Sequence, residues 1–377
     1  MLRFVPYFIL LIMMAPGPAA AQPVERPAHA APVPVPAGAI DLRIAGSGGD
    51  QLAATLYLPR RAGRYAVLIV APGAGTPSRN REGWQDVARR LREANVGLLV
   101  FDPRGTGDTP GTWQEGAPLA QTAEDIARIA EFLAAHRRVL PERIGVIGWS
   151  RGGWTAPMAA ATSPHIRFMI AVSAPSVSPN EANIHQRGEE LLDAGYSAEE
   201  VGEIGALRRT VWRYYGTGEG YEAARDLWRQ MRQRPWFSRL GLRPDVQPPE
   251  ALGQPGFAYY REGVYDPAAV LNGLSKPLLV LLGSGDRHIP IDASMAGWRS
   301  AFQRSGNPDA SLVLLARAGH AMRLLDGPEP MSAVTGHASL MAMPEHPYYW
   351  ATITAWLREH LGAATDARTA RRARGRS

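Results

Sequence analysis

The chain has 377 residues, 45% of them hydrophobic, a formal net charge of +6 and no cysteine. The missing thiols exclude a disulfide framework, a lipoprotein attachment and a thiolate nucleophile. The positive charge is local, because Arg368, Arg371, Arg372, Arg374 and Arg376 against Asp366 hold most of it in the last residues. The remaining body is close to neutral and offers no global field for nucleic acid.

Residues 1–21 read as a secretory signal peptide: Arg3 gives a basic start, Phe4 to Met14 an apolar core, and Ala19-Ala20-Ala21 a cleavage site. The expectation is a mature chain beginning at Gln22, exported to the periplasm or secreted. The apolar run is too short to span a bilayer comfortably and is ended by Pro16 and Pro18, so no stable membrane insertion is expected. Residues 22–39 are a leader rich in Pro and Ala with little to bury.

From residue 40 strand-like and helix-like patterns alternate, as they do in a mostly parallel α/β sheet with helices on both faces. Asp41 to Ile44 and Gln51 to Leu58 form an opening hairpin, and Ala66 to Ala71 a buried strand. Trp84 to Ala94 reads as a helix and Val96 to Phe101 as the next strand. Thr122 to Arg137 carries Ile126, Ile129, Ala130 and Leu133, the apolar stripe of a helix on a sheet. After the strand Ile166 to Val172 the alternation stops. Residues 176–274 read as an inserted helical cap rich in Trp and Tyr, among them Trp212, Tyr214, Trp228, Trp236 and Tyr265. Those rings either shape an apolar substrate pocket or hold the cap's own core. The pattern resumes with Leu278 to Leu282, a helix from Ala293 to Arg304, a strand from Ser311 to Leu315 and a last helix from Tyr348 to Leu361. The core is thus divided into residues 40–175 and 275–362, followed by a basic, disordered tail at 363–377.

The chemistry centres on Arg143-Ile-Gly-Val-Ile-Gly-Trp-Ser-Arg-Gly-Gly-Trp154. With 39 glycines in the chain, G-x-S-x-G alone carries little weight. Its setting, after an apolar strand and before a small-residue helix, is that of a nucleophile elbow. Such a turn lifts the Ser150 hydroxyl off the strand end and aims the next backbone N–H, that of Arg151, at the reaction centre. A serine needs a base, and the base an acid, each at the same edge of the sheet. Asp286 follows the strand Leu278 to Leu282 in a Gly-rich turn, with Asp292 as the alternative acid. His320 follows the strand Ser311 to Leu315, with His288 as the rival base. The other histidines, His185 among them, lack a strand-end context, and none has metal-ligand spacing. No metal or cofactor is expected.

The order Ser150, Asp286, His320 with a wide gap before Asp286 resembles the α/β-hydrolase superfamily, near its prolyl-oligopeptidase-like and dienelactone-hydrolase-like esterases. The resemblance covers residues 40–361 and implies an eight-stranded sheet and a carboxylesterase acting on a small ester. It also implies a second oxyanion donor in Pro72-Gly73-Ala74-Gly75, the amide of Ala74, although Pro72 stands where relatives carry His. The family's loop after the next strand resembles Phe101-Asp-Pro-Arg104-Gly105, where Arg104 is placed to tie neighbouring carbonyls together. The alternatives are a peptidase or amidase, since prolyl-oligopeptidase relatives cleave peptides, although those usually carry an upstream propeller for which the leader is too short; an acyl-thioester hydrolase; and a catalytically inactive binding protein.

Overall fold

The computed structural model describes residues 35–36, 38–74, 78–79, 83–111, 118–245, 247–250, 252, 258–331 and 341–374, backbone only at 258–259 and 363–374. The expected signal peptide lies outside these residues. Eight strands form one sheet: β1 Ala39–Ala45, β2 Gln51–Tyr57, β3 Tyr65–Ala71, β4 Val96–Phe101, β5 Val139–Trp149, β6 Ile166–Val172, β7 Leu278–Gly283 and β8 Ala310–Leu315. Their spatial order is β1-β2-β4-β3-β5-β6-β7-β8. Only β2 runs against its neighbours, and every pairing from β4 to β8 is parallel. The expected eight-stranded α/β-hydrolase sheet is therefore present.

The continuous apolar strands make sense because both faces are covered. In β3, Val67, Ile69 and Ala71 point to one face, where they join Ile126 and Ile129 of α2 (Leu119–Ala135), Ala156 of α3 (Gly152–Thr162) and Trp298 of α10 (Ile291–Ser305). Ala66, Leu68 and Val70 point to the other, with Leu91 of α1 (Trp84–Arg92) and Ile353 and Trp356 of α11 (Tyr348–Arg374). The period of two survives inside an unbroken hydrophobic run. The last helix continues as helical backbone to Arg374, beyond the expected end at Leu361 and into the stretch read as a disordered tail.

Among the described residues between β6 and β7 lie six helices: α4 Pro179–Asp193, α5 Ala198–Thr217, α6 Tyr221–Met231, α7 Pro235–Arg239, α8 Ala258–Gly263 and α9 Ala268–Leu271. Ser178 caps α4 through Glu181 N, and Ser197 with Glu200 forms a capping box at the start of α5. The cap has its own core of Tyr214, Trp228, Trp236 and Phe237 packed with Ile204, Leu207 and Leu240. Of the two roles open to the cap aromatics, these rings take the internal one. Tyr265 instead packs with Leu119, Trp154 and Ala182, where cap and sheet domain meet. Among the described residues no helix is long and apolar enough to cross a membrane.

Arg104 differs from expectation. It binds the carboxylates of Asp125, at 2.8 and 3.1 Å, and of Asp50, together with Ser47 Oγ. A guanidinium that is mostly buried needs charge neutralisation that carbonyls do not provide, and two acidic side chains lie within reach. Its role is to pin the β1–β2 turn to α2.

Candidate active site

Ser150 directly follows β5 and has φ of 53°, in the left-handed region that side-chain-bearing residues avoid. Such a conformation costs on the order of 1–3 kcal/mol and persists only where the surroundings over-determine it. Here the Ser150 N–H donates to Val172 O at 3.0 Å, and Gly153 N donates to Ser150 O at 2.8 Å as α3 begins. The glycines on either side are required by close approach. A Cβ on Gly148 would stand 2.3 Å from Gly152 O, and one on Gly152 would stand 2.4 Å from Ala71 O. The elbow is thus wedged between the ends of β3 and β6. Arg151 is the N-cap residue of α3, so its backbone N–H stands at the start of that helix, directly after Ser150.

The loop after β3 is laid against this elbow, since a Cβ on Gly73 would come to 3.5 Å from Trp149 O. Ala74, the expected second donor, is exposed in that loop, and Gly75 lies outside the described residues.

Asp286 and His320 meet directly. Asp286 is 4% exposed, and its Oδ2 lies 2.8 Å from His320 Nδ1. Its Oδ1 accepts the backbone N–H of His288 at 2.8 Å and of Ile289 at 3.3 Å. A carboxylate with three N–H groups directed at it requires His320 to donate from Nδ1, which leaves Nε2 as the lone-pair nitrogen. Burial alone would push the His320 imidazole down, but Asp286 and then Glu329 outweigh it and hold the group above its ordinary 6.5. The rival residues are placed elsewhere. Asp292 is exposed in the first turn of α10. His288 meets Asp286 through its backbone, while its ring turns to Glu329 Oε2 at 3.2 Å.

A second strained serine links the two halves of the site. Ser173 follows Val172, has φ of 48°, and donates from Oγ to His320 O at 2.7 Å. The β6 end therefore holds the Ser150 amide through one residue and the His320 carbonyl through the next. Asp286, His288 and His320 are the group of described residues whose donor atoms could converge on a cation, lying within 4.8 Å of one another. His320 Nδ1 and Asp286 Oδ2 are already committed to each other, so a cation would compete with that bond.

With this geometry in view, the sequence profile described as the alpha/beta hydrolase family matches residues 66–334. The chain belongs to the alpha/beta hydrolase family. A thiohydrolase, apmlB, of Arthrinium phaeospermum is 30% identical over 117 residues, covering 31% of this chain and 37% of that protein. The chain spans less than half the length of the curated relatives it matches. Among solved structures, the alpha/beta hydrolase GrgF from Penicillium sp. sh18 superposes with a TM-score of 0.53 at 19% identity, over 86% of this chain and 99% of that one. An esterase of Pyrococcus furiosus superposes with a TM-score of 0.52 at 16% identity, over 85% and 90%. At such identities the structural likeness speaks to fold.

Three residues of this alpha/beta hydrolase's site escaped the sequence reading. Glu329 is fully buried against the Asp286 and His320 loops. Arg287 runs from the Asp286 loop to the cap. His185, set aside for want of a strand end, stands on α4 near enough to feel Asp286 and His288, and burial lowers its pKa below 6.5. No motif marks them: Glu329 and His185 reach the site from elements distant in sequence, and Arg287, although next to Asp286, shows its role only through its contacts with α4.

Proposed function

We propose that the chain is a serine hydrolase that cleaves carboxylic esters through an acyl-enzyme. The observation that carries this reading is the 2.8 Å bond between His320 Nδ1 and Asp286, at the sheet edge where Ser150 is held at positive φ. In the proposed cycle Ser150 Oγ attacks the ester carbonyl as His320 Nε2 takes its proton. The resulting imidazolium is stabilised by Asp286, and the oxyanion by the amides of Arg151 and Ala74. His320 then protonates the leaving alcohol, and the C–O bond to it breaks. Water, deprotonated by the same nitrogen, attacks the acyl-enzyme; the acyl C–Oγ bond breaks as His320 returns the proton to Ser150 Oγ, releasing the acid and restoring the serine. The cycle calls on no cofactor, and the proposed substrate is a small ester.

Ser150→Ala tests the reading: hydrolysis of small aryl esters should fall on the order of 10⁶-fold with the fold intact. A fluorophosphonate probe should label the parent protein and not the variant. Retained turnover in Ser150→Ala, or a folded parent that does not react, would reject it in favour of another nucleophile or an inactive binding protein. A second reading, an acyl-thioester hydrolase on the same residues, is favoured by the similarity to the Arthrinium thiohydrolase. Turnover of an ester and a thioester of the same acyl group, beside an amide and a peptide, separates the readings. We also propose export, on the pattern in residues 1–21. Fractionation of expressing cells should then find the protein outside the cytoplasm and beginning near Gln22.

A further inference from the structure

We propose that Glu329 is a positioning residue for His320: its buried carboxylate ties the loop after β7 to the loop after β8 and holds His288 as a second carboxylate–imidazole pair against the His320 ring. The proposal rests on the reading of His320 as the general base. Glu329 is 0% exposed, a burial that a carboxylate tolerates only when its lone pairs are used. Its Oε1 accepts the backbone N–H of His320 at 2.7 Å, and its Oε2 accepts the backbone N–H of Arg287 at 3.0 Å. The same Oε2 meets His288 Nδ1 at 3.2 Å, and the Glu329 carbonyl accepts from Arg287 Nη1 at 3.0 Å.

Those partners are the proposed base itself and the two residues directly after the proposed acid. Glu329 thus cross-links the segments whose spacing sets the Asp286–His320 bond. Gly319 shows how closely the carboxylate is fitted, since a Cβ there would lie 2.5 Å from Glu329 Oε1. The His288 ring, anchored on Glu329, lies 4.7 Å from the His320 ring at an interplanar angle of 25°. Two imidazoles, each with Nδ1 on its own carboxylate, are therefore stacked. The charged and titratable groups around them are Asp286, Glu329 and Arg287 on the core side, and His185 and Glu189 from α4.

A merely structural buried glutamate would affect folding and nothing else. A positioning carboxylate beside the base also changes the proton affinity of that base and the geometry of transfer. The test is kcat and KM for a small aryl ester across pH, with parent protein, Glu329→Gln and Glu329→Asp. Glu329→Gln should lower kcat on the order of 10- to 100-fold, the scale of a misplacement of about 1 Å. KM should hardly change, and the acid limb of kcat/KM should move to lower pH. Glu329→Asp should restore the acid limb, because the charge returns, while kcat stays low because the shorter side chain cannot bridge both loops. Glu329→Gln with kcat within about twofold of the parent and an unmoved limb overturns the proposal. Should that variant not fold, Glu329→Asp decides alone, with kcat within about twofold of the parent overturning it. Fluorophosphonate labelling of the parent is run first. An unlabelled parent rejects the serine reading and this proposal with it, whereas a labelled parent with an unaffected Glu329→Gln rejects this proposal only.

Discussion

Arg287, the residue next to Asp286, reaches out of the sheet domain and donates from Nε to Glu189 Oε2 of α4 at 2.6 Å. Its Nη2 meets Asp193 Oδ1, one turn further along, at 2.7 Å. His185, Glu189 and Asp193 recur every four residues, so one face of α4 lies against the loop that carries Asp286. The cap is fastened to the site at the residue following the proposed triad acid. Through its backbone N–H the same arginine is held by Glu329, so fastening and positioning share a residue.

Arg287→Ala should therefore loosen the cap. Partly exposed ion pairs of this kind contribute about 0.2–1 kcal/mol each, and salt screens them. Limited proteolysis should cut the 176–274 segment faster in the variant than in the parent. Salt should accelerate cleavage of the parent and leave the variant's rate nearly unchanged. Equal rates at low salt would show that the apolar contact around Tyr265 and Trp154 holds the cap without the ion pairs.

Much of the fold was legible because its signals are local. Val67, Ile69 and Ala71 alternate with Leu68 and Val70 inside an apolar run of strand length, and Ile126, Ile129 and Leu133 mark a helix face by spacing alone. Ser150, Asp286 and His320 were legible because each lies at or within a short loop of the end of a strand that the pattern reveals. Glu329 was not, since it lies between Pro328 and Pro330 in a loop, and only the tertiary fold brings its carboxylate under Gly319. His185 was missed for the same reason, as a helix face says nothing about which loop it will meet. The cap aromatics were ambiguous because one composition serves either a pocket or a core. The burial of Trp236 and Phe237 assigns those two to the core.

Asp286→Asn separates orientation from charge. The amide keeps the shape of the carboxylate but no longer fixes the Nδ1–H tautomer, for which the expected loss in kcat is about 10⁴-fold. Asp286 is also the leading influence lifting His320 against the effect of burial, so the residual activity should extend to lower pH. Asp292→Asn, at an exposed position on α10, is the control and should leave turnover near the parent value. Loss of activity in the control with retention in Asp286→Asn would reassign the acid.

Gly152→Ala probes the wedge that strains Ser150. The added Cβ would stand 2.4 Å from Ala71 O, a backbone atom inside the sheet that cannot move aside cheaply. The expected cost is about 1–3 kcal/mol, with lost turnover as the start of α3 shifts away from β3. Gly202→Ala in α5 is the counter-experiment, because nothing lies within 4 Å of a Cβ there and φ is not positive. It should stabilise by up to about 1 kcal/mol through helix propensity. Thermal unfolding and ester turnover of both variants check the pair, and a Gly152→Ala protein as stable and active as the parent would mean that the elbow has slack.

Acid should inactivate the protein before it unfolds the site. The proposed base must be neutral to accept the serine proton, and His320 is held above 6.5, so kcat/KM should fall as pH drops through a value higher than that. The stability linkage has the opposite sign. A histidine whose folded pKa is raised binds its proton more tightly in the native state. His320 therefore contributes stability in full below about 6.5, and that contribution is lost as pH rises through the raised folded value. Protonation that stops turnover thus strengthens the contact of His320 with Asp286 and Glu329. A brief incubation near pH 6 followed by assay at pH 8 should recover full activity, with unchanged circular dichroism at the acid pH. Irreversible loss there, or unfolding that tracks the activity limb, would mean that another group governs the acid side.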